Sequence, residues 1–274
     1  MAWIDYYVRE DAAGGGDGTT EVVGGATGAW TFAEMVAANF ASAATSETRI
    51  NIKSGSYSQG AWTFDAGVAL NPIVYRGYNT TPGDLDQATR GPDGLLVSTN
   101  FPEIECTAIW TPTAFSFLSN LIIFGSLNSS LIFSATASYW GMVNCDVSNL
   151  DSTGSAQCLE AHDGCCFVNC DFYCFGTMHS AVVAAGANVK VVGCRFKITQ
   201  NNAFALICDS GIFYRCIFMG LATPGTTVGI RLAVLVGSNL VLILGCTFYG
   251  FSVAFQTANG TQTGPPIISV DNMV

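Results

Sequence analysis

The feature that most constrains this chain is a short pattern that recurs between Val143 and Phe248. Each copy holds an apolar residue, any residue, a cysteine, any residue and a second apolar residue. The cysteines of the five copies are Cys145, Cys170, Cys194, Cys216 and Cys246, at steps of 25, 24, 22 and 30 residues. Leu121 occupies the same position in a copy 24 residues before the first. A repeat period in the twenties is typical of a solenoid.

Each copy alternates with a period of two, which indicates a β-strand and not a helix. One such strand cannot bury its apolar face alone, so copies should stack at about 4.8 Å. All copies run in the same direction, and parallel connections are overwhelmingly right-handed. The sequence therefore predicts an all-β fold, a right-handed single-stranded parallel β-helix, in which the five cysteines form a buried core ladder beside stacked phenylalanines.

The first 60 residues predict a cap for this coil. A strand at Asp5–Arg9 precedes a glycine-rich loop, and Arg49–Lys53 begins another strand. Between them, Thr31 and Glu34 have the spacing of a capping box, which predicts a helix that ends near Ala43. We therefore expect a strand–loop–helix–strand cap over residues 1–60 and β-helix coils over residues 61–274.

This order of elements resembles the N-terminal cap of the pectin-lyase-like right-handed β-helix family, and the repeat spacing resembles its coils. That family includes polysaccharide lyases, glycoside hydrolases and phage tailspikes. The resemblance implies that the helix plugs the open end of the coil, where unpaired strand edges would promote aggregation. It covers most of the chain, but it is architectural and implies no single activity.

Three segments depart from the regular repeat. Thr80–Gly94 is rich in proline, glycine and acidic residues, which predicts a protruding loop. Phe101–Thr113 shows no regular pattern, which predicts irregular structure. Another copy of the strand begins at Ile267, shortly before the sequence stops at Val274. We expect this last rung to be open and covered by another chain, or the sequence to be truncated.

The chain has few charges for its length. Only 11% of its 274 residues are charged and the net charge is −10, which argues against a nucleic-acid partner bound through phosphates. A monomer uses surface charge for solubility. Either other copies of the chain cover much of the surface, as in a trimer or filament, or that surface consists of uncharged polar residues.

The N-terminus lacks the basic and apolar regions of a secretion signal. The 11 cysteines are an odd number and fall in predicted strands, which favours synthesis and assembly in a reducing cytoplasm. Leu232–Phe255 is apolar, but Gly237-Ser238-Asn239 interrupts it and the alternation continues, so we predict no membrane span.

The cysteines predict no metal site, and no cofactor is expected. Cys166, Cys170 and Cys174 fall on one predicted strand, and each is separated from the next by four residues, which is about 13 Å along a strand. Thiolates that share one zinc must lie within about 4 Å of each other. The ladder cysteines are therefore interpreted as small buried hydrophobic residues.

The candidate functional residues follow the cysteines. Asp146, Asp171 and Arg195 occupy the same position on successive rungs, so two carboxylates should lie about 5 Å apart beside a guanidinium. In lyases of the resembled family stacked acids bind calcium and an arginine acts as base, and in its hydrolases paired carboxylates act as acid and base. The chain lacks the Asn-Thr-Asp, Gly-His-Gly and Arg-x-Lys motifs, so a solvated ladder that pairs its own charges is the alternative. Asp163 and Tyr173 are candidates for glycan binding.

Three functions are compatible with these observations. The first is a non-enzymatic structural, receptor-binding or glycan-binding subunit of an oligomer, above all a phage tail spike, fibre or decoration protein assembled in the host cytoplasm and carried on the virion. The second is a polysaccharide lyase or glycoside hydrolase. The third is a bacterial cell-surface adhesin or filament subunit, which needs export. The expected partners are copies of the same chain and a surface polysaccharide.

Overall fold

The fold is that of a computed structural model of the chain. It describes residues 3–38, 46–86, 96, 98–127, 131–134, 137–152, 157–175, 182–184, 188–199, 204–208, 211–220, 228–232, 241–251, 253–257 and 267–270.

Strands make up nearly all of the regular structure in these residues. One α-helix, α1, spans Phe32–Ala37, and a single 3₁₀ turn spans Ser98–Asn100. The strands, in chain order, are β1 (Ile4–Val8), β2 (Thr48–Lys53), β3 (Gly55–Gln59), β4 (Trp62–Thr63), β5 (Ile73–Tyr78), β6 (Pro102–Cys106), β7 (Trp110–Thr111), β8 (Ser116–Ser119), β9 (Ile122–Gly125), β10 (Leu131–Phe133), β11 (Gly141–Val143), β12 (Asp146–Asn149), β13 (Gln157–Ala161), β14 (Cys166–Val168), β15 (Asp171–Cys174), β16 (Val182–Ala184), β17 (Lys190–Val192), β18 (Arg195–Ile198), β19 (Phe204–Cys208), β20 (Gly211–Tyr214), β21 (Ile217–Gly220), β22 (Val228–Leu232), β23 (Val241–Leu244), β24 (Thr247–Tyr249), β25 (Val253–Thr257) and β26 (Ile267–Val270).

These strands form three parallel sheets that run the length of the coil. From β2 onward, each turn of chain gives one strand to sheet A, the next to sheet B and the next to sheet C. Sheet A has the order β1-β2-β5-β8-β11-β14-β17-β20-β23-β26, sheet B β3-β6-β9-β12-β15-β18-β21-β24, and sheet C β4-β7-β10-β13-β16-β19-β22-β25. The predicted parallel β-helix is confirmed, and its right-handed sense follows the general rule for parallel crossovers.

Stacked rings fill the interior behind sheet B. The centroids of Phe172 and Phe196 are 5.4 Å apart, those of Phe196 and Phe218 4.8 Å, and those of Phe218 and Phe248 4.6 Å. All four side chains are at most 2% exposed. The ring separations match the spacing of neighbouring strands, so each coil packs its ring against the ring of the next coil.

The repeated pattern is not one strand, which corrects the sequence interpretation. Strand β11 ends at Val143 and β12 begins at Asp146, so Asn144 and Cys145 form a corner between sheets A and B. Asn144 has a φ of 53°, a left-handed conformation that asparagine tolerates better than most residues. Residues in the same conformation stand before the other ladder cysteines: Asn169, Gly193, Arg215 and Gly245.

The ladder cysteines lie at equivalent corners, buried and reduced. The amide N–H of Asp171 donates to the carbonyl of Cys145, and that of Arg195 to the carbonyl of Cys170, each at 2.9 Å. Burial raises the pKa of the Cys145 and Cys194 thiols well above the usual value, so both stay protonated. Cys166 and Cys174 lie on the separate strands β14 and β15, and not on one straight strand with Cys170.

The helix has the predicted start and an earlier end. The Thr31 hydroxyl accepts the N–H of Glu34 at 3.2 Å, and the Glu34 carboxylate accepts the N–H of Thr31 at 2.8 Å, so the capping box is present. The helix ends at Ala37 and not near Ala43, because Ala38 already has an extended backbone. Residues 39–45 lie outside the described part. Phe32 packs its ring against Tyr57 and Trp62 in the interior of the first coil.

The segment predicted to be irregular, Phe101–Thr113, contains strands β6 and β7. Pro102 is the first residue of β6, a position where a strand tolerates proline. Ile104 and Cys106 then point inward, and Glu103 and Glu105 are more exposed. In the described part of the chain, no helix is long and apolar enough to cross a bilayer.

Cys145 and Cys194 should resist thiol reagents in the native protein, because the thiolate is the reactive form and burial suppresses it. We expect a maleimide at pH 8 to label the partly exposed Cys166 within minutes and to leave Cys145 and Cys194 unlabelled, as read by peptide mass spectrometry. In guanidinium chloride all three should react. Rapid native labelling of Cys194 would contradict the buried ladder.

Candidate functional site: a groove on the outer face of sheet B

A groove of about 660 Å³ runs along the outer face of sheet B. Two columns of outward side chains form its floor, and we call it the sheet B groove. The first column is Glu103, Ile122, Asp146, Asp171, Arg195, Ile217 and Thr247, and the second is Ser148, Tyr173, Lys197, Met219 and Tyr249. Leu96 lines the same groove.

The corner between sheets A and B sets both columns. After the inward-pointing cysteine, the next residue begins the sheet B strand and points outward, and alternation places the third residue outward as well. Asp146 therefore pairs with Asp171, and Asp171 with Arg195, in one parallel register. The three predicted candidates lie side by side as the repeat required.

Asp171 and Arg195 form a bidentate ion pair. The Arg195 Nε donates to Asp171 Oδ1 at 2.7 Å, and a terminal guanidinium nitrogen donates to Oδ2. The Asp171 side chain is 10% exposed and that of Arg195 19%. This part of the predicted ladder pairs its own charges, but it is shielded from solvent instead of solvated.

Asp146 is also buried, with 7% of its surface exposed. Its Oδ2 accepts the backbone N–H of Leu96 at 2.9 Å, across 50 residues of sequence. The carboxylate is thus hydrogen-bonded to a segment that lies over the groove, and this contact was not visible in the repeat.

The second column carries two tyrosines and a lysine, of which Tyr173 and Lys197 are partly buried and Tyr249 is exposed. The Lys197 ammonium lies 4.4 Å from the centroid of the Tyr173 ring, a cation–π contact. Burial raises the pKa of Tyr173, so its hydroxyl stays protonated and can donate a hydrogen bond. Tyr249 is 49% exposed. It lies three strands further along, about 14 Å from Tyr173 at the usual strand spacing.

The two ends of the groove differ. Near β9, Leu85, Leu96 and Phe101 form an apolar cluster against Ile122 and cover the floor. Beyond Lys197, the floor residues Ile217, Met219, Thr247 and Tyr249 carry no charge. The groove is therefore charged from β12 to β18 and uncharged towards β24, with Glu103 as a further acidic residue at the opposite end.

The predicted binding residues lie on different faces. Tyr173 lines the groove, whereas Asp163 is exposed at the corner between β13 of sheet C and β14 of sheet A. Glu103, Lys197 and Met219 also line the groove and were not predicted as site residues. The first and third residues after each ladder cysteine would have identified all but Glu103, which lies in the segment predicted to be irregular.

Among the described residues, no group of three or more histidine, cysteine, aspartate or glutamate side chains is arranged to hold a metal ion.

No known protein family and no curated protein matches this sequence. Among solved structures, pectate lyase Pel9A matches 96% of this chain and 79% of its own at 14% identity, with a TM-score of 0.45. The pectin methylesterase from Aspergillus niger matches 99% of this chain and 90% of its own at 14% identity, with a TM-score of 0.33. At this identity and these scores, neither similarity bears on what the groove binds.

The groove is suited to an extended ligand that packs its apolar faces on the floor and forms hydrogen bonds through its polar edges. Ligand sites are mostly apolar with a few placed polar groups, and this floor combines Ile217 and Met219 with Ser148, Arg195 and Lys197. Asp171 already has a cation as its partner, and Asp146 already accepts an amide proton. Binding therefore requires no rearrangement of the carboxylates, whereas acid–base chemistry by them requires one.

The Asp171–Arg195 pair should behave as a buried structural pair. Arg195→Met removes the guanidinium and leaves a buried carboxylate, so we expect a loss of about 3–5 kcal/mol in the free energy of unfolding in urea. Adding Asp171→Leu should restore stability to within about 1 kcal/mol of wild type. Lys197→Met, on the same face of the same strand, is the control and should cost under about 1 kcal/mol. An Arg195→Met variant as stable as wild type would show that the pair is solvated.

Proposed function

We propose that the protein binds a polysaccharide in the sheet B groove without cleaving it, as a glycan-binding subunit of a larger assembly. The observation that carries this proposal is the second column of the groove. Tyr173 and Tyr249 present rings along one line, with Ser148 and Lys197 between or beside them as hydrogen-bonding groups. Sugar rings offer an apolar C–H face to an aromatic ring and hydroxyls to polar groups, which matches this arrangement.

The state of the carboxylates favours binding over cleavage. A general acid or base must reach the proton that it transfers. Both carboxylates are about nine-tenths buried and occupied, Asp171 by Arg195 and Asp146 by the Leu96 amide. The other residues that line this part of the groove are Tyr173, Lys197, Tyr249 and the uncharged residues between them.

The biological setting of this binding is also a proposal. The low charge content supports a homo-oligomer whose faces are covered by other copies. We propose a phage virion protein as the setting, with a bacterial surface protein as the alternative. Light scattering of the purified protein tests the oligomer, and a stable monomer would remove this part of the proposal.

Tyr173→Ala and Tyr249→Ala should each weaken glycan binding about tenfold, equivalent to about 1.4 kcal/mol, because each removes one stacking surface. The measurement is a screen of bacterial capsular, O-antigen and plant polysaccharides, followed by calorimetric titration of the strongest binder.

Tyr139→Ala is the matched control for that titration, since Tyr139 is 51% exposed and lies at a corner outside the groove. The control should bind as wild type does. Equal losses in all three variants, or no binder in the whole screen, would contradict the proposed site.

A polysaccharide lyase or glycoside hydrolase is the second candidate. It is favoured by one observation: Asp146 and Asp171 lie on neighbouring strands beside Arg195. Retaining glycosidases hold two carboxyl groups about 5–5.5 Å apart, which is close to one strand spacing.

Under the binding proposal, wild-type protein should leave the chain length of its bound polysaccharide unchanged over a day, as measured by size-exclusion chromatography. If wild type shortens the polymer, Asp171→Asn decides between the two candidates. Cleavage that falls at least a hundredfold in Asp171→Asn, with binding retained, would establish the enzyme.

A further inference from the structure

The outer face of sheet A changes character along the coil. Over β1, β2 and β5, its two outward columns are mostly polar and include Asp5, Arg49, Asn51 and Arg76. From β8 to β23, the same two columns are mostly apolar. We call this second part the sheet A face. Its outward residues are Phe117, Gly141, Cys166, Lys190, Ile212 and Leu242 in the first column and Ser119, Val143, Val168, Val192, Tyr214 and Leu244 in the second.

The coil does not require apolar residues on the sheet A face. The inward residues of the same strands, such as Met142 and Phe167, already fill the core and are fully buried. The outward residues remain in contact with solvent, since Val143 is 45% exposed, Ile212 38% and Tyr214 37%. Strands β1 and β2 form the same sheet with polar outward residues. The apolar residues of the sheet A face therefore indicate a contact with another molecule.

The charge of the sheet A face favours a second copy of the chain as that molecule. The chain has 20 acidic residues and a net charge of −10, but none of the outward residues of this face is acidic, and one, Lys190, is basic. Two copies of so acidic a chain repel each other wherever carboxylates would be brought together. On the sheet A face they can meet without bringing carboxylates together.

The size of the sheet A face fits a dimer of ordinary size. Its six strands, with two outward residues each, form a patch of about 30 Å by 13 Å, or about 400 Å². A standard interface buries about 800 Å² on each partner, of which about 60% is apolar. The sheet A face therefore supplies most of the apolar area that one partner needs.

One edge of the sheet A face carries two residues of the types that dominate binding energy at interfaces. The guanidinium carbon of Arg215 lies 5.0 Å from the centroid of the Tyr214 ring, and both residues are exposed. Tyrosine and arginine are enriched among interface hot spots. Arg215 has a left-handed φ of 51°, at a corner position that Asn144, Asn169 and Gly193 occupy in other coils. Arginine is less favourable than asparagine or glycine in this conformation, so its presence favours a role in a contact.

We infer that the sheet A face is the surface through which two copies of this chain pack together. Val143, Val192 and Tyr214 lie in its second column and form the apolar centre and edge of the contact. The sheet B groove lies on a different outer face of the coil. The inference does not rest on the glycan proposal, and it assigns a surface to the homo-oligomer of the proposed setting.

Sedimentation velocity of the full-length protein tests the contact. Wild type should be a dimer or a larger oligomer. Val143→Asp and Tyr214→Asp should each raise its dissociation constant at least a hundredfold, because each places an unpaired carboxylate in an apolar contact. Val22→Asp is the matched control, since Val22 is 62% exposed in the glycine-rich loop, and it should assemble as wild type does. A monomeric wild type, or an oligomer that both face variants leave unchanged, would overturn the inference.

Cys166 provides a second measurement in the wild-type protein, should the aspartate variants fail to fold. It lies on the sheet A face, so its rapid labelling by maleimide is a property of the dissociated chain. At about a hundred times the dissociation constant, initial labelling should be at least fivefold slower than at concentrations below that constant, because mass action keeps most chains in the oligomer. Equal rates at the two concentrations would show that the oligomer leaves this face open, and the inference would be wrong.

This inference and the glycan proposal fail separately. If wild type is a monomer and binds a polysaccharide, the sheet A contact is wrong and the groove assignment stands. If Tyr214→Asp dissociates the oligomer and no polysaccharide binds, the sheet A contact stands and the glycan proposal fails.

Discussion

The structure depends on the backbone hydrogen bonds that pair each coil with the next. At the corners between sheets A and B, the amide after one ladder cysteine donates to the carbonyl of the cysteine one coil earlier, at 2.9 Å from Asp171 to Thr247. This pairing fixes the register of every residue that follows. Inside, it brings Phe172, Phe196, Phe218 and Phe248 into one stack; outside, it brings Asp146, Asp171 and Arg195 into one column.

The same register creates a problem for charged residues on the outer face. Like charges directly opposite each other on neighbouring strands are destabilising. Asp146 and Asp171 are such a pair, and the structure offsets their repulsion on both sides. Arg195, on the next coil, forms an ion pair with Asp171, and the backbone N–H of Leu96 donates a hydrogen bond to Asp146. The arrangement that suggested a catalytic dyad is thus also one in which each carboxylate has its own partner.

The repeat in the sequence predicted the register of the columns but not the ends of the strands, and one residue explains both results. Asn144 reverses the alternation at the corner, so Val143 points outward while Cys145 and Val147 point inward. Because the outward Val143 is apolar as well, period-two spacing continued through the turn and hid it. The cysteine spacing still predicted which residues are equivalent in successive coils, since every coil turns in the same way. The contact between Leu96 and Asp146 could not be predicted, because it joins residues 50 apart that share no repeat.

The two-residue corner has a consequence for how such a molecule can change. Each whole turn of chain adds one residue to each column of the sheet B groove and leaves the remaining rungs in register. Duplication or loss of one turn would therefore lengthen or shorten the groove by one strand spacing, about 4.8 Å. The length of ligand that the groove accommodates would then change in steps of one strand spacing, independently of the side chains that contact the ligand.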